Sequence, residues 1–183
     1  KLVPMAVIHK KDTPLDGSTP AIVSAYGGFH YAQAPMYVTP IYAWVKQGGV
    51  WAVGGIRGGT EYGENWWKEG SRENKENCFD DMAGCVDALH AKGFSSPEKT
   101  AIRGGSNGGL LVGACLNRYP GLFNAAMCMV PVIDMLRFHK KFTSESIGLA
   151  WASDYGNPDI EADFKTALKY SPLHNIREGE KYP

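Results

Sequence analysis

The sequence lacks an excess of charge of either sign. Its 183 residues carry 19 Lys and Arg against 19 Asp and Glu, for a formal net charge of zero. Electrostatics therefore gives no support to a nucleic-acid or anionic-membrane partner. No apolar run approaches the ~20 residues that a membrane-crossing helix needs. Lys1 to Lys11 alternate like a strand and contain no cleavage site, so no signal peptide is expected there. Cysteine is scarce: Cys78, Cys85, Cys115 and Cys128 show no C-x-x-C spacing, which argues against a zinc or dithiol motif. They read as reduced and mostly buried thiols, which points to a cytoplasmic protein. Repeats and low-complexity tracts are absent as well. The length suits one domain. The first residue is not Met, and the chain stops at Tyr182–Pro183 without a closing helix, the pattern expected of a segment of a longer protein.

What is present is an alternation of strand-like and helix-like stretches. Val3 to Lys10 reads as a strand whose Pro4 suggests a sheet edge. Ala21–Ala25 reads as a more buried strand running into Tyr26-Gly27-Gly28-Phe29. Thr39–Pro40 has the form of a cap followed by proline at the first helical position, and Gly48–Gly49 stops the helix that follows. Val50–Val53 is a third strand. Thr60 to about Lys75 reads as a long loop whose Trp66 and Trp67 pin a crossover onto the core. Phe79 to Lys92 is amphipathic, with Met82, Cys85, Val86 and Leu89 at helical spacing. Ala125 to Val130 is a further strand, Asp134 to about Lys141 a helical turn, Trp151–Gly156 a loop, and Asp159 to Lys169 a helix. Such alternation implies a doubly wound, mostly parallel sheet.

One stretch organises the rest. Lys99–Arg103 is strand-like, Leu110–Leu116 is apolar and continuous, and between them lies Gly104-Gly105-Ser106-Asn107-Gly108-Gly109. A strand, a tight glycine turn with serine at its apex, and a helix make the nucleophile elbow of an α/β-hydrolase. Gly104 and Gly108 are expected because a Cβ at either place would strike the neighbouring chain. The following helix points its positive end at the position of a reaction oxyanion. A phosphate loop would need Lys where Leu110 stands, and a dinucleotide G-x-G-x-x-G does not fit the register.

The elbow wording, GGSNGGLL, resembles the prolyl oligopeptidase family of serine peptidases. So do AYGGF at Ala25–Phe29, IRGGTEYGENW at Ile56–Trp66, NCFDDM at Asn77–Met82, VIDMLRFHK at Val132–Lys140 and KYSPLHN at Lys169–Asn175. The resemblance spans the chain in order. It implies part of an α/β-hydrolase catalytic domain over residues 1–183, truncated before its last strands, with the family's β-propeller absent. It implies cleavage of short peptides after proline, with no metal or cofactor, no nucleic-acid partner and no membrane; it leaves the oligomeric state open. Ser106 would be the nucleophile. The backbone N–H of Asn107 and the phenol of Tyr26 would be the oxyanion donors. Phe29, Asn107, Val132, Trp151 and Tyr155 would bind substrate, with Trp151 stacking on the proline ring. Read alone, Tyr26 is a core tyrosine at a strand end, and Val132 is plain core.

The triad Asp and His of the family lie beyond KYSPLHN, and chain order Ser…Asp…His is what the fold demands. Neither occurs in these residues, so the segment by itself is expected to be inactive. His9, His30, His90 and His139 belong to the wrong elements, and His174 reads as structural. Asp134 and Asp154 read as a helix-start and a loop residue. Two alternatives remain open: a related oligopeptidase with basic-residue or acylaminoacyl specificity, and a non-catalytic binding segment.

Overall fold

The structure, a computed structural model, describes residues 1–141 and 145–183. In chain order the elements are β1 (Met5–Ile8), β2 (Ala21–Ala25), α1 (Thr39–Lys46), β3 (Val50–Gly54), α2 (Glu64–Lys68), α3 (Glu76–Ala91), β4 (Thr100–Gly105), α4 (Asn107–Arg118), β5 (Ala125–Met129), α5 (Phe138–Lys141), α6 (Glu145–Ala150), α7 (Ala152–Tyr155) and α8 (Glu161–Tyr170). The strands form one sheet in the order β1-β3-β2-β4-β5. Pairings among β2, β3, β4 and β5 are parallel, as the alternation with helices requires.

Period-two alternation divides the core between the two faces of the sheet. Ala21, Val23, Val50, Ala52 and Ile102 point to one face. There they meet Phe79, Met82, Val86 and Leu89 of α3 and Leu110, Leu111 and Val112 of α4. Full burial of such a side chain stabilises the fold by about 1.5–3 kcal/mol. Ile22, Trp51 and Val53 point the other way, onto Ile41, Trp44 and Val45 of α1. Helices on both faces make the sheet doubly wound.

The strand order places the site. From β2 the chain crosses to β3 on one side. From β4, which pairs β2 on its other side, it crosses to β5 in the opposite direction. The carboxyl ends of β2 and β4 therefore flank a topological switch point, where open α/β sheets form their binding crevice. Tyr26–Phe29 follow β2 there, and Ser106 follows β4.

Three expectations need correction, and the structure settles the direction of β1. β1 is an edge strand, as Pro4 suggested, but it runs antiparallel to β3, with Ile8 opposite Trp51. Alternation reports which face a residue takes and carries no information on strand direction. Thr60 to Lys75 is not one loop, since it holds α2 and a 3₁₀ turn at Arg72–Asn74. Trp66 pins this crossover through an indole N–H to the Gly55 carbonyl, 3.1 Å. Trp151–Gly156 is mostly the one-turn helix α7. Finally, α1 begins at Thr39 with Val38 as its cap, one residue earlier than read. The four cysteines are free, with Cys78, Cys85 and Cys115 buried and Cys128 exposed.

Candidate active site

At the end of β4 the chain turns through Ser106 with φ 56° and ψ −117°. This left-handed conformation is rare for a residue with a side chain. The turn is braced on both sides: Ser106 N–H donates to the Met129 carbonyl on β5, 3.0 Å, and Leu110 N–H closes the first turn of α4 on the Ser106 carbonyl, 3.1 Å. The glycines act as their spacing suggested. A Cβ on Gly104 would overlap the Gly108 carbonyl, and one on Gly108 would come within 2.9 Å of the Ala25 carbonyl. Ser106 is left exposed at the start of α4. The backbone N–H of Asn107, in the first turn of that helix, meets no backbone carbonyl among the described residues. It is one of the orphan donors of a helix start.

Asn107 is itself buried, and its amide is fully employed. Nδ2 donates to the Tyr26 carbonyl, 2.6 Å, and Oδ1 accepts the Tyr155 hydroxyl, 2.9 Å. A Cβ on Gly28 would come within 2.6 Å of this same amide. So the side chain at this position clasps the end of β2 and the wall residue Tyr155 together.

A cavity of about 100 Å³ is lined by Tyr26, Phe29, Ser106, Val132, Trp151 and Tyr155. Residues from four separate parts of the chain meet there. The Tyr26 phenol lines this cavity together with Ser106. Burial, first of all, pushes the phenol above its ordinary pKa, so it holds its proton through neutral pH. The aromatic wall is ordered by edge-on packing. Phe29 lies 5.4 Å from Tyr155 and 6.5 Å from Trp151, ring centre to ring centre, both near perpendicular. Phe138 stacks behind Trp151 at 6.3 Å. Burial, first of all, raises the Tyr155 phenol well above its usual range, which suits a hydroxyl serving as a donor to Asn107.

Two charged residues that spacing did not single out underlie this cavity. Asp154, on α7 between Trp151 and Tyr155, is buried rather than a loop residue. It accepts the Phe29 N–H at 2.8 Å and the Trp67 indole N–H at 3.3 Å. Trp67 thus pins the site loop rather than the crossover. Lys75, equally buried, donates to the Gly27 carbonyl at 2.9 Å. A lysine and an aspartate far apart in sequence look like surface residues. The one available cue is that Asp154 lies between two wall aromatics on a single helical turn. Asp134 accepts Leu136 N–H at 3.3 Å in the turn ahead of α5, which starts only at Phe138, so it is not the helix-start residue expected.

None of the five histidines lines the cavity. His9 packs on Phe94, and His90 bonds Thr100 at 2.8 Å. His30 stacks on Trp67, and His139 lies 3.2 Å from Asp159. His174 bonds Ser171 at 2.8 Å, beside a polar hollow of about 530 Å³ with Arg118 and Arg177. That hollow is the larger one, but it lies at the carboxyl end of α4, away from the serine at the amino end. No serine, threonine or cysteine lines it.

Comparison with known proteins agrees with this geometry. The sequence profile of the prolyl oligopeptidase family matches residues 35–183. Over 99% of its length the chain is 46% identical to a protein of Galerina marginata named prolyl oligopeptidase A and 42% identical to a prolyl endopeptidase of Dictyostelium discoideum. It spans about a quarter of the length of these curated relatives, 24% in each case. Two solved structures superimpose over 99% of the chain and 26% of their own, each with a TM-score of 0.93. One is a post-proline cleaving enzyme from Rickettsia typhi, 37% identical, and the other prolyl oligopeptidase B from Galerina marginata, 40% identical. The fold is that of the α/β-hydrolases.

Proposed function

Because the chain belongs to the prolyl oligopeptidase family, we propose that these residues form part of the catalytic domain of a serine peptidase that cleaves short peptides on the carboxyl side of proline. The observation that carries this reading is the single cavity shared by Ser106, the Tyr26 phenol and an aromatic wall. Ser106 attacks the scissile carbonyl and gives up its proton, the carbon–oxygen double bond opens to an oxyanion, and collapse breaks the C–N bond as that proton passes to the leaving amine, which leaves an acyl-enzyme. The Asn107 N–H and the Tyr26 O–H receive the oxyanion. The base that takes the serine proton, and the acid that orients it, come from polypeptide outside these residues. Phe29, Val132, Trp151 and Tyr155 form an apolar slot, which suffices for proline because its nitrogen carries no N–H when acylated. Free cysteines, three of them buried, suit a reducing compartment, and we place the protein in the cytoplasm.

The test uses the full polypeptide carrying these residues and chromogenic dipeptides that differ only at the residue before the cut. Proline is expected to be preferred over alanine and lysine. Trp151→Ala removes the face on which the ring packs, a contact of about 1.5–3 kcal/mol. Its kcat/KM for the proline substrate should therefore fall about 10- to 100-fold, with a smaller fall for alanine. Equal rates for lysine and proline in the parent enzyme would refute the proline assignment and favour a relative with basic-residue specificity.

A further inference from the structure

We infer that Lys75 and Asp154 act as a positioning pair for this site, holding the Tyr26–Phe29 turn in the one conformation that aims both the oxyanion donor and the slot. The inference rests on the reading of the cavity given above.

The two side chains are each only 1% exposed. Ions are rarely buried so completely unless their donors and acceptors are used. Here the contacts go to the site. The Lys75 ammonium donates to the Gly27 carbonyl, lies 3.9 Å from the Asp154 carboxylate and sits 5.3 Å from the centre of the Tyr155 ring. One Asp154 oxygen takes the Phe29 N–H and the other takes the Trp67 indole N–H. The turn needs such support. Ladder pairing of β2 with β4 ends at Ser24, and Phe29 and His30 are both left-handed, with φ of 56° and 58°. Consecutive non-glycine residues in that region persist only where their surroundings over-determine them. Among the described residues the backbone's own contribution is one bond, Tyr31 N–H to the Gly28 carbonyl, 3.0 Å. Side chains do the rest: Asn107 on the Tyr26 carbonyl, Lys75 and, at 3.5 Å, the Cys78 thiol on the Gly27 carbonyl, Asp154 on the Phe29 N–H and Thr60 on the His30 carbonyl.

Asp154 also sits on α7, which ends in Tyr155 and has Trp151 as its cap. One carboxylate thus ties the turn bearing Tyr26 and Phe29 to the helix bearing the opposite wall. An apolar pair of matching shape would fill the same space but would leave the Phe29 N–H unbonded and the Gly27 carbonyl with only the long Cys78 thiol contact, 3.5 Å. If the turn relaxes, Tyr26 moves off Ser106 and Phe29 moves off the slot, so turnover and proline selectivity fall together.

The experiment compares Asp154→Ala and Asp154→Asn with the parent in the full polypeptide. Proline and alanine dipeptide amides are the substrates, and rates are expressed per serine titrated with a fluorophosphonate. Titration removes the effect of a lower folded fraction, which is all that a purely structural role would change. Asp154→Ala is expected to lose at least about tenfold in kcat per titrated serine, since displacements of an ångström carry costs of that order or larger. Its proline-to-alanine ratio should collapse as well. Asp154→Asn keeps an acceptor for the Phe29 N–H but no charge for Lys75, and should fall between Ala and the parent. If Asp154→Ala does not fold, the loss in Asp154→Asn decides the matter. Parent-like kcat and selectivity per titrated serine in either variant overturn the inference. A parent enzyme without proline preference refutes the functional reading instead, and kcat on its better substrate still tests the pair. Exchange of the Phe29 amide gives a readout independent of turnover: protection lost in Asp154→Ala supports the pair, and protection retained overturns it.

Discussion

Replacing Ser106 with alanine is expected to reduce kcat on a proline amide by about 10⁶-fold in the full polypeptide, the scale seen when a hydrolase loses its nucleophile. The loss should be chemical. Alanine retains the Cβ that already occupies the left-handed position at φ 56°, so the backbone strain is unchanged. The bonds that brace the turn run through the main chain of residue 106, to Met129, Gly109 and Leu110, and they survive the substitution. The aromatic wall does not depend on the hydroxyl, so KM should shift little. What remains is the catalysis of the oxyanion hole and of binding alone. The measurement is single-substrate kinetics together with fluorophosphonate labelling, which should disappear. A loss of only tenfold, or persistent labelling, would move the nucleophile elsewhere.

Tyr26→Phe should leave the fold intact and lower kcat by about 10²- to 10³-fold, the usual cost of one oxyanion donor. The ring keeps its edge-on contact with Tyr31, 5.3 Å between centres. The loop keeps its clasp, because Asn107 holds the Tyr26 carbonyl rather than its hydroxyl. Only the O–H facing Ser106 is lost. Its benefit arises in the transition state, so kcat and kcat/KM should fall together while KM holds. The pH dependence follows from the direction of the shift. Burial raises the phenol above its ordinary pKa, so the donor form is fully present at neutral pH and is lost only as pH rises through that raised value. An alkaline limb of kcat attributable to Tyr26 should therefore lie above about pH 10. A change confined to KM would reduce Tyr26 to a packing role.

How much of this was legible in the sequence varies from residue to residue. Gly104, Ser106 and Gly108 were legible because an elbow needs small residues at fixed offsets and a strand and helix at set positions beside them. The contacts a Cβ would make there give the reason in space. Phe29, Val132, Trp151 and Tyr155 could be grouped only by resemblance, since aromatics at such separations look like ordinary core. The structure places all four on one cavity with Ser106, while Asn107 turns its amide away to Tyr26 and Tyr155. Lys75 gave no usable signal, and Asp154 only its place between two wall aromatics, because a charged residue in a helix or loop reads as solvated unless its surroundings are known.

The sequence by itself determined the alternation of strands and helices, the face each residue takes, the edge place of β1 and the strand–turn–helix that presents Ser106. These follow from periodicity and from local sterics, which act over a few residues. Tertiary structure alone decided that β1 runs antiparallel and that α7 interrupts an expected loop. It also decided that a lysine and an aspartate 79 positions apart, at residues 75 and 154, share a buried site. The physical reason is range. Strand direction and the pairing of buried charges depend on which distant segments the strand order brings side by side, and no window of neighbouring residues carries that information.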